Sequence, residues 1–359
     1  MQPITPSARQ PLLYIVLSMD SFADWESERS TLMSRNISEL GLVIEGTRVE
    51  RMVNQLYAEL EEKGIRFKPP VYLSDQWGCP DGTPLIGVPF YLADPRLERI
   101  EDDFAEGIES DQESMRFMRH EAGHAFNYAY RFYEQPEWRQ IFGPMSRPYR
   151  ERYKADPFSH EYVRHILGWY AQKHPDEDFA ESFAVWLTPG LDWRSAYDGW
   201  GALRKLEYVD RVMSHVKNEM PEIPGITDDD LPVTSMRYSI EDHYRSLSSS
   251  IPVKDSTIFD GDLRNIFSTA SESPEGQGAG EFLMSHRREI VGRIAYWTGE
   301  GPSAVRQLLD MITRRAAALD LRVRGLEAST LIELTAFGTA VMMNYRSAST
   351  TSRQHRKPE

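Results

Sequence analysis

The sequence predicts an α+β fold, with a small N-terminal sheet packed on one long helix and an all-helical C-terminal region after it. Three observations carry this. Short apolar runs broken by proline occur at 65–73 and 85–92, and another apolar run stands nearer the N-terminus at 11–19. Farther along, apolar residues recur with the 3.6-residue period of a helix. A stretch rich in proline and aspartate then separates this part from one that reads as helix throughout. The predicted division is a first domain at 1–220, a linker at 221–240 and a helical region at 241–345. The tail at 346–359 is Ser/Thr-rich and then basic, and is expected to be disordered.

Residues 1–10 read as a loose arm. Pro11 to Met19 reads as a buried strand, because no small-residue cleavage site comes after it as in a signal peptide. Residues 25–42 have helical spacing. Val49, Met52, Val53, Leu56 and Leu60 form one apolar stripe that stops at Gly64. Ile65 to Leu73 is a proline-interrupted strand, suited to an edge. Pro80-Asp81-Gly82 marks a turn. Leu85 to Leu92 is a second strand, again interrupted, at Pro89. Two roles stay open for it: a core strand, or an edge that pairs with an extended substrate.

One long helix is predicted over Gln112 to Tyr133, and an ordered loop over 144–160. Tyr162 to Ala171 and Asp176 to Leu187 read as two helices divided by His174-Pro175, and Leu203 to Glu219 as another. Beyond the linker, helices are predicted near 281–298, 302–318 and 328–345. Val305, Leu308, Leu309, Ile312 and Ala316 share one face that needs covering. This region is therefore expected to dock on the first domain and form one wall of its cleft.

The 359 residues carry 41 Lys+Arg against 55 Asp+Glu, a net charge of −14. That sign argues against nucleic acid as the main partner. Cys79 is the single cysteine, so an internal disulfide is excluded and a reducing compartment fits. No run reaches the ~20 apolar residues that span a bilayer. The expectation is a soluble cytoplasmic protein with no membrane partner.

The strongest chemical signal is His120-Glu121-Ala122-Gly123-His124. Histidines at i and i+4 project from one helix face and can share one metal ion. Zn²⁺ suits them, accepting nitrogen ligands and keeping an open position for water. Glu121 is placed to reach that water as a general base. Downstream, Glu177 and Glu181 are also spaced i and i+4. One of these carboxylates can complete a three-ligand site. The other can accept the free N–H of a ligand histidine and fix its tautomer.

These residues resemble the gluzincin metallopeptidases, in which His-Glu-x-x-His is succeeded by a Glu on a later helix. The form Glu177-Asp178-Phe179-Ala180-Glu181 is similar to that of the lethal-factor-like enzymes. The wider match, over about residues 38–218, is to a bacterial family of zinc-binding metallopeptidases. It is carried by Tyr72 to Trp77, Val88 to Leu97, Arg119 to Ala125, Gly168 to Glu181, Ala184 to Pro189 and Leu203 to Asp210. Gly78-Cys79 departs from the pattern, where an aromatic or larger residue and a serine are expected. The resemblance implies His120, His124 and Glu177 as zinc ligands, Glu121 as base and Glu181 as the carboxylate behind a ligand histidine. It also implies Tyr170, seven residues before Glu177, as a donor to the developing oxyanion.

The function this resemblance implies is zinc-dependent hydrolysis of a peptide or related amide bond. Two rivals are an amidase acting on a small amino-acid conjugate in a biosynthetic pathway, and a zinc-holding scaffold without turnover. A scaffold site would fill its fourth position with a protein ligand, and Cys79 is the one thiol that could serve. His165 and His174 read as structural, and Trp77, Trp169 and Trp186 as core or cleft-wall aromatics. The run Asp228 to Asp230 reads as solvated linker without calcium-loop spacing. His243-Tyr244 could donate to an oxyanion only if the C-terminal region folds over the cleft.

Overall fold

The computed structural model describes residues 24–105, 109–150, 153–223, 225–226, 230–246, 256–300 and 302–354. The apolar run at 11–19 lies outside them. The fold is mostly helical α+β, with two sheets of two strands each among the described residues.

A helix over residues 24–33 (α1) leads to α2 (Arg48–Glu62), whose buried face is Val49, Met52, Leu56 and Leu60. Gly64, at φ 73°, ends it where the sequence places a stop. The strands β1 (Val71–Ser74) and β2 (Ile86–Pro89) pair in parallel, with Val71 opposite Ile86. They lead through a 3₁₀ turn at Phe90–Ala93 into α3 (Pro95–Ala105) and α4 (Asp111–Ala129). The first domain continues with α5 (Pro136–Ile141), α6 (Pro175–Leu187), α7 (Trp193–Ala196), α8 (Leu203–Val216) and α9 (Ile240–Ser246). Beyond it come α10 (Asp260–Ile266), α11 (Ala279–Ser285), α12 (Arg287–Thr298), α13 (Pro302–Ala318) and α14 (Glu327–Gln354). A two-residue antiparallel pair, β3 (Ser268–Thr269) with β4 (Leu321–Arg322), interrupts the helices of this region.

Several elements differ from their sequence-based expectation, each for a local reason. The helix expected over 25–42 ends at 33, because Ile37 N donates to Tyr238 O (3.1 Å) and Ser38 N to Met236 O (3.0 Å). The long helix expected to Tyr133 ends at Ala129, where Arg131 at φ 51° reverses the chain. Tyr162 to Ala171 is not a helix. Gly168 (φ 80°) and Trp169 (φ 57°) turn the chain there, leaving one 3₁₀ turn at Tyr170–Gln172. The outer edge of β2 is not free at Gly87 either. Gly87 N donates to Gly78 O (2.7 Å) and Gly78 N to Gly87 O (3.2 Å). The strand is buried along its length, so the core role wins at that position.

Two apolar cores form. The first gathers residues from Trp25 to Tyr244 and the second residues from Phe259 to Met342. Val233, Met236, Ile240 and Tyr244 belong to the first core. The part of the chain read as linker and the start of the helical region therefore packs on the first domain, anchored by four apolar side chains. Asp228 and Asp229 lie outside the described residues, and Asp230 O accepts from the Tyr72 hydroxyl (2.9 Å). At the far end, α14 runs to Gln354 and takes in most of the segment read as a disordered tail; residues 355–359 are not described. The two cores meet where α13 packs on α3 and Arg288 pairs with Asp102. Among the described residues no helix is long and apolar enough to cross a membrane.

Candidate metal centre

The centre is built where α4 crosses α6. Ser110 caps α4: Glu113 N donates to its Oγ, and its own N donates back to Glu113 Oε2. The guanidinium of Arg119 forks onto Glu59 of α2 with two bonds of 2.7 Å, both side chains buried, which fixes the helix one residue before His120. In α6, Pro175 occupies the first turn and His174 is the cap, its Nδ1 accepting from Asp176 N at 3.2 Å. Acidic side chains come directly after it, at the helix end whose dipole favours them.

Four carboxylates near the start of α6 go to four separate tasks. Glu177 Oε2 lies 3.0 Å from His120 Nε2 and 3.2 Å from His124 Nε2. Glu181 Oε1 accepts from His120 Nδ1 at 2.8 Å, and its Oε2 accepts from Ile166 N at 2.8 Å. Asp176 Oδ2 stands 2.9 Å from His124 Nδ1 and is held by Tyr128 OH (2.6 Å), while Oδ1 accepts from Asn127 Nδ2 (2.7 Å). Asp178 turns away to Lys205 Nζ at 2.7 Å. The spacing argument left Glu177 and Glu181 open as third ligand. The geometry brings Glu177 to the Nε2 atoms of both histidines, whereas Glu181 meets His120 only at Nδ1 and Asp178 turns to Lys205.

His120, His124 and Glu177 thus form a buried group able to hold a metal ion. The two Nε2 atoms are 3.1 Å apart. With the Nδ1 protons directed at Glu181 and towards Asp176, both Nε2 atoms present lone pairs to each other and to a carboxylate oxygen. Such a cluster of acceptors is repulsive unless a proton or a cation sits among them. Metal bonds of ~2.0–2.1 Å in tetrahedral geometry place neighbouring ligand atoms about 3.3–3.4 Å apart, close to the edges found here. Two imidazoles and one carboxylate accept several divalent transition metals, zinc and iron(II) among them.

The electrostatics agree with a site built around positive charge. Burial works against a charged His120, yet hydrogen bonds to Glu177 and Glu181 outweigh it and push the imidazole up to about 9. Burial also works against His124, and Asp176 and Glu177 overcome it in the same way. Glu177 is held well below the carboxylate range, because the two imidazoles outweigh its burial. Glu121 is raised by burial. Its carboxyl takes no hydrogen bond from the described residues and faces the same cleft as the histidines.

That cleft has a volume of about 520 Å³. Trp77, Cys79, Arg147 and Tyr170 line it, with residues of the metal group at its floor. Trp77 stacks on Phe117 (5.8 Å between centroids), whereas Trp186 is buried and donates to Asp210 (2.9 Å). Tyr170 packs edge-on against His120, and its hydroxyl is 3.5 Å from that of Tyr149. Cys79 is no ligand; its thiol donates to Thr83 O (3.2 Å), and burial raises it. His165 and His174 bond to the backbone oxygens of Arg116 (3.1 Å) and Arg147 (2.8 Å). His243 and Tyr244 do not line the cleft. They pack on Phe90 and Phe104 in the first core. Among the described residues the cleft walls come from 77–177, so the C-terminal region does not form the wall expected of it.

Two contributors escape sequence reasoning. Tyr149 donates its hydroxyl to Glu177 Oε1, and the only sign of it is the Pro/Arg/Tyr-rich composition of its loop. Asp176 stands behind His124 as Glu181 stands behind His120, and it reads in sequence as one acid among several at a helix start. Comparison with family models, with curated proteins and with solved structures returned no match to this chain.

Proposed function

We propose that the protein is a zinc-dependent amide hydrolase of the gluzincin type, cleaving a peptide or related amide bond with Glu121 as general base. The observation that carries the proposal is the convergence of His120, His124 and Glu177 beside a buried Glu121 carboxyl that has no other partner among the described residues. A non-catalytic site would have no use for that base. A zinc ion held there would supply Lewis acidity, polarising the scissile carbonyl and lowering the pKa of a water to ~7.

The chain's residues then divide the work. Glu121 accepts the proton of the attacking water as its oxygen bonds to the carbonyl carbon, and delivers that proton to the amine nitrogen as the C–N bond breaks. Tyr170 donates its O–H to the oxyanion. Tyr149 orients Glu177 through Oε1. Glu181 and Asp176 keep the two imidazoles in the tautomer that presents Nε2.

A second observation favours the small-conjugate reading over a long peptide. An extended substrate would need the edge of β2, and Gly78 occupies that edge at Gly87. The cleft volume is also that of a small-molecule site.

The test is Glu121→Gln. The variant should retain one zinc per chain by metal analysis and lose hydrolysis by about 10²–10⁴-fold on whichever substrate the wild type turns over, from panels of quenched peptides and N-acyl amino acids. Near wild-type turnover would exclude this mechanism. Iron in place of zinc would redirect the reading to redox chemistry, and zinc without turnover on either panel would favour a scaffold.

A further inference from the structure

We propose that a second pocket, beside α4 and distinct from the metal cleft, binds a small organic anion: a carboxylate or phosphate carried on an apolar group. The pocket holds about 390 Å³ and shares no lining residue with the cleft. Arg116, Arg119 and Arg164 line it, and among the described residues no acidic one does. In a chain of net charge −14, an acid-free pocket with three guanidinium groups stands apart from its surroundings.

The partners of these groups narrow the argument. Arg119 is neutralised by Glu59. Arg116 has no acceptor for its guanidinium among the described residues. Arg164 gives one N–H to Pro157 O and lies over the Trp200 ring at 5.5 Å, so most of its donors are unused. Tyr197 is only 9 % exposed. Its hydroxyl oxygen accepts from Arg164 N at 3.0 Å, and its own proton has no acceptor among the described residues. Two guanidinium groups and a buried O–H therefore offer donors to one space, the pattern that carboxylate and phosphate oxygens satisfy. Val185, Leu191 and Trp200 supply an apolar wall, which a bare inorganic ion would leave uncovered. Burying that wall under the apolar part of a ligand adds affinity that the charge contacts alone do not give.

Benzoate, phenyl phosphate and inorganic phosphate serve as probes, titrated calorimetrically into the full chain at constant ionic strength set with chloride. Benzoate or phenyl phosphate should bind saturably and more tightly than inorganic phosphate, and the stronger of the two identifies the oxyanion. Arg116→Gln combined with Arg164→Gln should weaken that binding roughly tenfold or more, while His124→Ala should leave it unchanged. If the double variant fails to fold, Arg164→Gln alone, at an exposed position, should weaken it in the same direction. The proposal is overturned if neither organic anion saturates, if the arginine substitutions leave affinity unchanged, or if His124→Ala abolishes binding, which would place the ligand in the cleft.

Discussion

Gly123 of α4 lies directly against Ala180 of α6: a Cβ at Gly123 would sit 2.7 Å from the Cα of Ala180 and 2.9 Å from its carbonyl oxygen. The helix carrying both histidines and the helix carrying Glu177 can approach this closely only because each has a small residue at the crossing. Gly123→Ala must push the helices apart, since backbone atoms cannot swing aside as a side-chain tip can. The cost should be about 1–3 kcal/mol by denaturant unfolding, accompanied by weaker metal binding as Glu177 retreats from the histidines. Gly292, in α12, has nothing within 4 Å of its Cβ position. Gly292→Ala should therefore be neutral or stabilising by up to about 1 kcal/mol. Equal effects of the two substitutions would show that the α4–α6 contact is not what Gly123 serves.

The carboxylates behind the histidines should rank below the ligand in their effect on metal. Glu177→Ala removes one of three protein ligands and should cause the largest loss of affinity in a competition titration with a chromogenic chelator. Glu181→Ala and Asp176→Ala should each cost about 10–100-fold, the range for partners that orient a ligand imidazole. Asp178→Asn should leave metal affinity nearly unchanged, because Asp178 faces Lys205. If Glu181→Ala strips the metal while Glu177→Ala keeps it, the roles of the two glutamates are reversed.

Much of this site is legible in the sequence because helical spacing is a strong geometric constraint. His120 and His124 share a face by their i, i+4 relation, and Glu177 and Glu181 share one in the same way, so crossing two helices is enough to assemble them. Spacing does not reveal contacts made by irregular chain. Tyr149 reaches Glu177 from a loop, and Ile166 N reaches Glu181 from turns that the sequence suggested were helix. The apolar content of Tyr162 to Ala171 matches a helix, but Gly168 and Trp169 at positive φ set the backbone instead. The region beyond 220 misleads for a related reason. Pro and Asp mark a linker by composition, whereas Val233, Met236 and Ile240 are apolar anchors too sparse to register as an element. The role of Gly78 in closing the β2 edge depends on a backbone pairing that leaves no side-chain pattern.

A pH effect on stability is expected away from the metal site, at Glu101 of α3. Burial raises this carboxyl to about 6, against the opposing hydrogen bond from Tyr244. Glu109 and Asp102 push in the same direction as burial, and Arg306 opposes them. In the unfolded chain the group titrates near its ordinary value of 4.5, so between these two values the folded state holds more proton than the unfolded one. Its contribution is fully present below about 4.5 and is lost as pH rises through about 6. Glu101→Gln keeps an oxygen to accept from Tyr244 and carries no charge at any pH. The variant should match wild type near pH 4.5 and exceed it by about 1–2 kcal/mol at pH 8, measured by urea unfolding at both values. A stability difference that is the same at the two pH values would mean that Glu101 ionises no less readily in the fold than in the unfolded chain.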